Sequence, residues 1–132
     1  MYLLDTNICI YAIKQKHEKV LVLLNKKSDE GLYVSSLSVA ELEFGVQNSQ
    51  QVERNRIALI KFLSYFNFLN FDSSAAIEYG RIKTELRKKG QLIGQIDLLL
   101  AAQAVNREMT LVTNNVKEFR RVKGLKVEDW SQ

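Results

Sequence analysis

The chain contains no proline, one cysteine and one histidine among 132 residues, and each scarcity removes a class of chemistry. A lone Cys9 excludes an internal disulfide and any multi-cysteine zinc site. Flanked by Ile8 and Ile10, it reads as a small packed side chain rather than a nucleophile. A lone His17, in the polar stretch Lys14-Gln15-Lys16-His17-Glu18, reads as a solvated loop residue. Catalysis or metal binding built on several histidines is excluded outright. Any metal must therefore be held mainly by oxygen ligands, which points to magnesium or manganese.

No apolar run approaches the ~18–20 residues that span a bilayer, and Met1-Tyr2-Leu3-Leu4 stops at once on Asp5 rather than continuing as a secretory segment. The expectation is a cytoplasmic protein without a membrane partner. The length fits one domain over residues 1–132, and no linker or internal repeat interrupts it. The absence of proline suits helices joined by short connections.

What is present is a mild excess of base, 19 Lys and Arg against 15 Asp and Glu, with a pI of about 9.2. Setting four acids aside as a metal cluster leaves a still more basic exterior, which suits a polyanionic substrate. Short apolar runs at Tyr2–Asp5, Leu32–Ser35, Phe68–Phe71 and Thr110–Thr113, with a weaker one at Leu125–Val127, read as strands buried on both faces. Between them lie segments with helical spacing. Val20, Leu21, Leu23 and Leu24 form one stripe, and Ile57, Ile60, Leu63 and Phe66 a second. Ser73–Lys89 is amphipathic and stops on Gly90, and Ile96–Arg107 is apolar on most faces. The alternation predicts an α/β fold with a parallel sheet.

In such sheets, ligand sites lie beyond the carboxyl ends of the strands. Asp5 closes the first strand, where it either caps the next helix or binds a ligand. Glu41 follows the second strand, but Ser38-x-x-Glu41 also matches a capping box. Glu43, two residues on, reads as solvated. Asp97 opens the apolar helix, where it either complements the helix dipole or awaits a counter-charge. Thr113, Asn115 and Glu118 follow the fourth strand and are placed to hold a water or a carboxylate. Taken together, these residues suggest a convergent carboxylate pocket, and with a hard cation the matching chemistry is phosphodiester hydrolysis. Without further histidine, a carboxylate or the activated water must serve as base.

The same residues closely resemble the motifs of the PIN-domain ribonucleases, specifically the VapC toxins of bacterial toxin–antitoxin pairs. Leu3-Leu4-Asp5-Thr6-Asn7 resembles the opening motif, Ser35-Ser36 to Ala40-Glu41-Leu42 with Gly45 the second, and Ile93 to Ala101 around Asp97 the third. Val112-Thr113-Asn114-Asn115 through Glu118-Phe119 resembles the fourth, and the likeness runs to Val127-Glu128-Asp129-Trp130.

The resemblance implies a three-layer α/β/α PIN-like domain with a parallel sheet of four to five strands. It also implies an endoribonuclease using Mg2+ or Mn2+ held by Asp5, Glu41 and Asp97. Thr6, Asn7 and Thr113 match family positions that orient carboxylates or water. Many members carry an aspartate where this chain has Asn115, so the fourth carboxylate falls to Glu118. The Asp-Thr-Asn-Ile and Thr-Asn-Asn motifs resemble the enteric-type toxins, which cut initiator tRNA in the anticodon stem-loop and so inhibit translation. A VapB-type antitoxin and a homodimer are the implied partners.

Arg87, Lys88 and Lys89, which equally suit a helix C-terminus, are candidate phosphate contacts, as are Lys117 and Arg120 with Arg121 and Lys123. Tyr11 and Trp130 are candidate base stackers, although a tail aromatic also suits a core. Two rival readings are weaker. A haloacid-dehalogenase-type phosphatase needs a second aspartate where Asn7 stands, and a non-catalytic binding module would not need all three acids.

Overall fold

The structure, a computed structural model, describes residues 1–132. Its centre is a five-stranded sheet of β1 (Tyr2–Leu4), β2 (Leu32–Ser35), β3 (Asn67–Leu69), β4 (Thr110–Val112) and β5 (Lys126–Glu128). The order is β3-β2-β1-β4-β5 and every pairing is parallel. Eight connecting helical pieces cover the two faces: α1 (Thr6–Lys14), α2 (Glu18–Lys26), a 3-10 turn (Ser28–Glu30), α3 (Ser36–Gln47), α4 (Val52–Leu63), α5 (Ser73–Lys88), α6 (Gln95–Asn106) and α7 (Val116–Phe119). The fold is the α/β/α sandwich expected.

Strand alternation separates two cores. Tyr2, Leu4, Leu32, Val34 and Val112 face α1 to α4, where they meet Ile8, Cys9, Val20, Leu42, Leu59 and Phe62. Leu3 and Leu111 point the other way, into α5, α6 and α7, against Ile82, Leu86, Leu98, Leu100 and Phe119. With a period of two, a strand covered by helices on both faces must be apolar at every position. Tyr2-Leu3-Leu4 satisfies this, all three being buried. Full burial of each such leucine contributes roughly 1.5–3 kcal/mol.

Three expectations need correction. In α4, Ile57 and Ile60 are exposed, whereas Leu59 and Phe62 are buried and Leu63 and Phe66 pack beside them. Steps of three drift around a helix of 3.6 residues per turn, so the core-facing set within α4 is Leu59, Phe62 and Leu63, with Phe66 packing beside them from beyond the helix end. In α5, Ile77 is likewise exposed, and the packed stripe runs through Ala75, Tyr79, Ile82 and Leu86. The third strand is Asn67–Leu69, at the sheet edge, so Phe68 lies half in solvent instead of between two layers.

The topology fixes where a site can form. The chain lays β2 and β3 on one side of β1, then crosses over to place β4 on the other. The carboxyl ends of β1 and β4 therefore flank the point where strand order reverses, the usual crevice for ligands in an open parallel sheet. Asp5 and Thr113 follow those two ends directly.

Candidate active site

Asp5 is tied down from three directions. Its amide donates to the Val112 carbonyl at 2.9 Å, extending the β1–β4 ladder by one step. Its Oδ1 accepts from the Thr6 amide at 2.7 Å, which makes it the N-cap of α1. Its Oδ2 accepts from Thr113 Oγ1, also at 2.7 Å. Capping and site roles were open alternatives in the sequence, and the geometry permits both. Burial pushes the Asp5 carboxyl above its ordinary value. Hydrogen bonds from Thr113 and Thr6 temper the rise, and the charge of Glu41 adds to it.

Glu41 does not fold back onto its helix. The N-cap of α3 is Ser35, whose Oγ accepts from the Leu37 amide at 3.0 Å, so Ser38 already lies inside the helix and the capping box does not form. Instead, Thr6 Oγ1 donates to Glu41 Oε1 at 2.5 Å and lies 3.0 Å from the buried Ser38 Oγ. One hydroxyl from the first turn of α1 thus ties α1 to α3 beside Asp5. Glu43, expected to be solvated, forms a two-pronged ion pair with Arg56 at 2.7 and 2.9 Å, joining α3 to α4.

Asp97 occupies the first turn of α6, three residues after its N-cap Gly94. A helix N-terminus favours a carboxylate. Even so, the Asp97 carboxyl is pushed up to about 6, first by burial and then by the negative charges of Asp5, Glu118 and Glu41. None of these four acids is paired with Lys or Arg; the ion pairs lie elsewhere on the surface.

Asp5, Glu41 and Asp97 line one cavity of about 580 Å³, together with Thr6, Asn7, Asn115 and an apolar wall of Ile10, Leu37, Phe44 and Ile96. That volume lies within the range of small-ligand sites. Glu118 is not part of the lining, though its charge is felt at Asp97, and Asn115 takes the wall position on that side. The acids share the cavity without closing into a three-carboxylate cage. A hard divalent cation fits this donor set, since it is all oxygen, negative and without an internal counter-charge.

Thr113 is fully buried and works in both directions, donating to Asp5 and accepting the Asn115 amide at 3.0 Å. The β4–α7 turn is thereby pinned to the same carboxylate.

A family model described as the PIN domain matches residues 2–125. The chain belongs to the PIN-domain family. Within it, the chain is 42% identical over 135 residues to the ribonuclease VapC2 of Rickettsia felis, covering 100% of this chain and 99% of that one. It is 40% identical over 130 residues to the tRNA(fMet)-specific endonuclease VapC of Shigella flexneri, covering 98% of each. Among solved structures, VapBC2 of Rickettsia felis bound to a DNA fragment from its promoter superposes with a TM-score of 0.93 at 39% identity, over 98% of both chains.

Set on this PIN scaffold, the remaining candidates are dispersed. Arg87, Lys88 and Lys89 are exposed at the end of α5, with Lys89 3.9 Å from Glu85. Lys117 and Arg120 are exposed around α7, and Arg121 donates to the Leu92 carbonyl. None of them lines the cavity.

Trp130 is not a free stacker. It is 3% exposed, meets Tyr2 edge-on, and donates from Nε1 to Glu128. Tyr11 is half-buried, stacked on His17, with its hydroxyl accepting from Asn114 Nδ2 at 2.9 Å. His17 is accordingly no solvated loop residue. The left-handed turn at Gln15 brings it back over Tyr11, and its Nδ1 is buried without a partner.

Two residues were missed in the sequence. Gln103, buried in α6, accepts from Ser35 Oγ and donates to the Leu69 carbonyl, joining α6 to β2 and β3. A lone amide in an apolar helix was the available signal. Phe44, an aromatic one turn after Glu41, was the other.

Proposed function

We propose that the chain is the toxin of a type II toxin–antitoxin pair, a divalent-metal-dependent endoribonuclease that cuts the anticodon stem-loop of initiator tRNA and so inhibits translation. The observation that carries the reading is the Asp97 carboxyl, raised to about 6 in a cavity shared with Asp5 and Glu41 and lacking any basic side chain to balance them. Such a site is unstable toward its own charge and receptive to a hard cation.

In this reading Asp5, Glu41 and Asp97 would hold Mg2+ or Mn2+. Bound there, the ion supplies Lewis acidity, an acidified water and charge neutralisation at the phosphate. Asp5 is fixed by Thr113 and by the Thr6 amide, so its carboxylate needs little reorganisation. Thr6 orients Glu41, and Asp97, raised to about 6 by burial and by its acidic neighbours, gains most from a cation that balances its charge. Asn7 and Asn115 offer neutral hydrogen bonds in the cavity lining, and Glu118 adds negative potential at Asp97.

Relatives named as tRNA(fMet)-specific endonucleases support the substrate, and VapBC complexes among the structural neighbours support an antitoxin partner of the VapB type. A homodimer and a cytoplasmic location complete the proposal. No helix is long and apolar enough to cross a membrane.

The test is incubation of the purified chain with total tRNA and with initiator tRNA, in Mg2+ or Mn2+, against chelator and an Asp97→Ala control. Cutting of one tRNA at one loop, abolished by both controls, is the expected result. No cutting by folded, antitoxin-free protein would refute the assignment.

A further inference from the structure

Phe44 is 71% exposed, an unusual position for a phenylalanine ring that belongs to neither hydrophobic cluster. Of the large apolar side chains that face solvent, Phe44 alone lines the carboxylate cavity; Ile57, Ile60, Tyr65, Phe68 and Ile77 lie outside it. It follows Glu41 by three residues on α3, so the two side chains project from the same face about 5–6 Å apart at their Cβ atoms. The ring therefore borders the place where a phosphate would meet the acids, within reach of a base attached to that phosphate or its neighbour. Tyr11 and Trp130 are already engaged within the fold, as described above, which leaves Phe44 as the open aromatic surface at the site.

We propose that Phe44 is a stacking platform for a nucleobase at or next to the scissile phosphate, and thereby fixes which position of an RNA loop enters the cavity. The proposal rests on the ribonuclease reading and adds a substrate contact to it. Loop bases in RNA are unstacked and available, and aromatic rings hold them irrespective of sequence, because every base has a π-face. The chemistry also suits the electrostatics. The acids repel phosphates until a cation is bound, whereas an uncharged ring holds a base in either condition. A stacking contact of this kind sets position along the strand and leaves sequence choice to hydrogen-bonding groups elsewhere.

The test is a cycle between protein and RNA. Wild type, Phe44→Ala, Phe44→Leu and Phe44→Tyr are assayed on the stem-loop that wild type cuts fastest from total tRNA, and on copies with single abasic nucleotides around the cut. Phe44→Ala should lower kcat/KM on the order of 10- to 100-fold and Phe44→Leu nearly as much, while Phe44→Tyr stays within about threefold. One abasic position should lower wild-type cleavage to the same degree and cause no further loss in Phe44→Ala. Melting temperatures should not move.

Wild-type rates in Phe44→Leu, or losses from base removal and Phe44→Ala that multiply at every position, would overturn the proposal. So would an Ala variant that cuts normally but binds an inhibitory protein less tightly, which would assign the ring to a protein interface. Failure of wild type to cut any RNA would remove the ribonuclease reading itself, and is distinguished by that control.

Discussion

Replacing Asp97 by asparagine should make the metal-free protein more stable at neutral pH, although it removes a residue of the proposed catalytic site. The Asp97 carboxyl rises from 3.8 to about 6 on folding, chiefly through burial and then through Asp5, Glu118 and Glu41. A raised acid pKa means that the folded state holds the proton more tightly than the unfolded one. Its stability contribution is complete below about 3.8 and is lost as pH rises through 6. At about 1.4 kcal/mol per pH unit, the ionised carboxylate costs up to about 3 kcal/mol above pH 7. Asp97 is only partly buried, so solvent screening reduces this to about 1–2 kcal/mol. Asparagine gives up part of the favourable helix-dipole interaction, a few tenths of a kcal/mol. The net gain for Asp97→Asn in chelator at pH 8 should be about 1 kcal/mol, or roughly 3–6 °C in melting temperature. At pH 4 the difference should vanish. Saturating Mg2+ or Mn2+ should reverse the order, because wild type gains a ligand that the variant binds poorly. Thermal unfolding of both proteins at pH 4 and 8, with chelator and with metal, is the assay. A variant less stable than wild type in chelator at pH 8, or a difference independent of pH, would refute the electrostatic reasoning.

Thr113→Val removes the hydroxyl that serves both Asp5 and the Asn115 amide, and should cost about 1–3 kcal/mol in chemical denaturation while lowering cleavage; Thr113→Ser should restore both. Gln103→Leu removes the acceptor of the Ser35 O–H and a donor to the Leu69 carbonyl and should destabilise by a similar amount, measured in urea. Charge reversal at Arg87 or Lys88 should weaken RNA cleavage and flatten its salt dependence without moving the melting temperature; unchanged kinetics would remove that patch from the RNA path. On α4, Leu59→Ala should cost about 2–5 kcal/mol whereas Ile60→Ala stays within about 0.5 kcal/mol, a contrast that checks the buried face directly.

Much of the sheet was legible because its signal is local. A strand covered on both faces has to be apolar where it is buried, which Tyr2-Leu3-Leu4 shows in three residues and Leu111-Val112 in two. Helix faces were less legible, since a run such as Ile57 to Phe66 offers two overlapping stripes and only the neighbouring element decides between them. With α1 and α3 packed against α4, Leu59 and Phe62 turn inward and Ile57 and Ile60 are left outside. His17 was misread for the same reason. Its stacking on Tyr11 depends on the left-handed turn at Gln15, which nothing in a polar stretch announces.

The acids were legible by position, but their local sequence could not separate capping from chemistry, and the geometry explains why. Asp5 caps α1 with one oxygen and meets Thr113 with the other, so the structural contact and the site geometry are properties of a single carboxylate. Holding an anion at the strand-order reversal requires donors on hand, and the first turn of α1 together with the β4–α7 turn supplies them. Glu41 is the complementary case. Ser35 caps α3 one turn earlier, which releases Glu41 from backbone duty and leaves it facing Thr6 and the cavity. A Ser-x-x-Glu pattern is a capping box only when its serine is the N-cap residue. Here the strand ends at Ser35, three residues too early for Ser38 to serve, and that offset is what turns an apparent capping box into a cavity carboxylate.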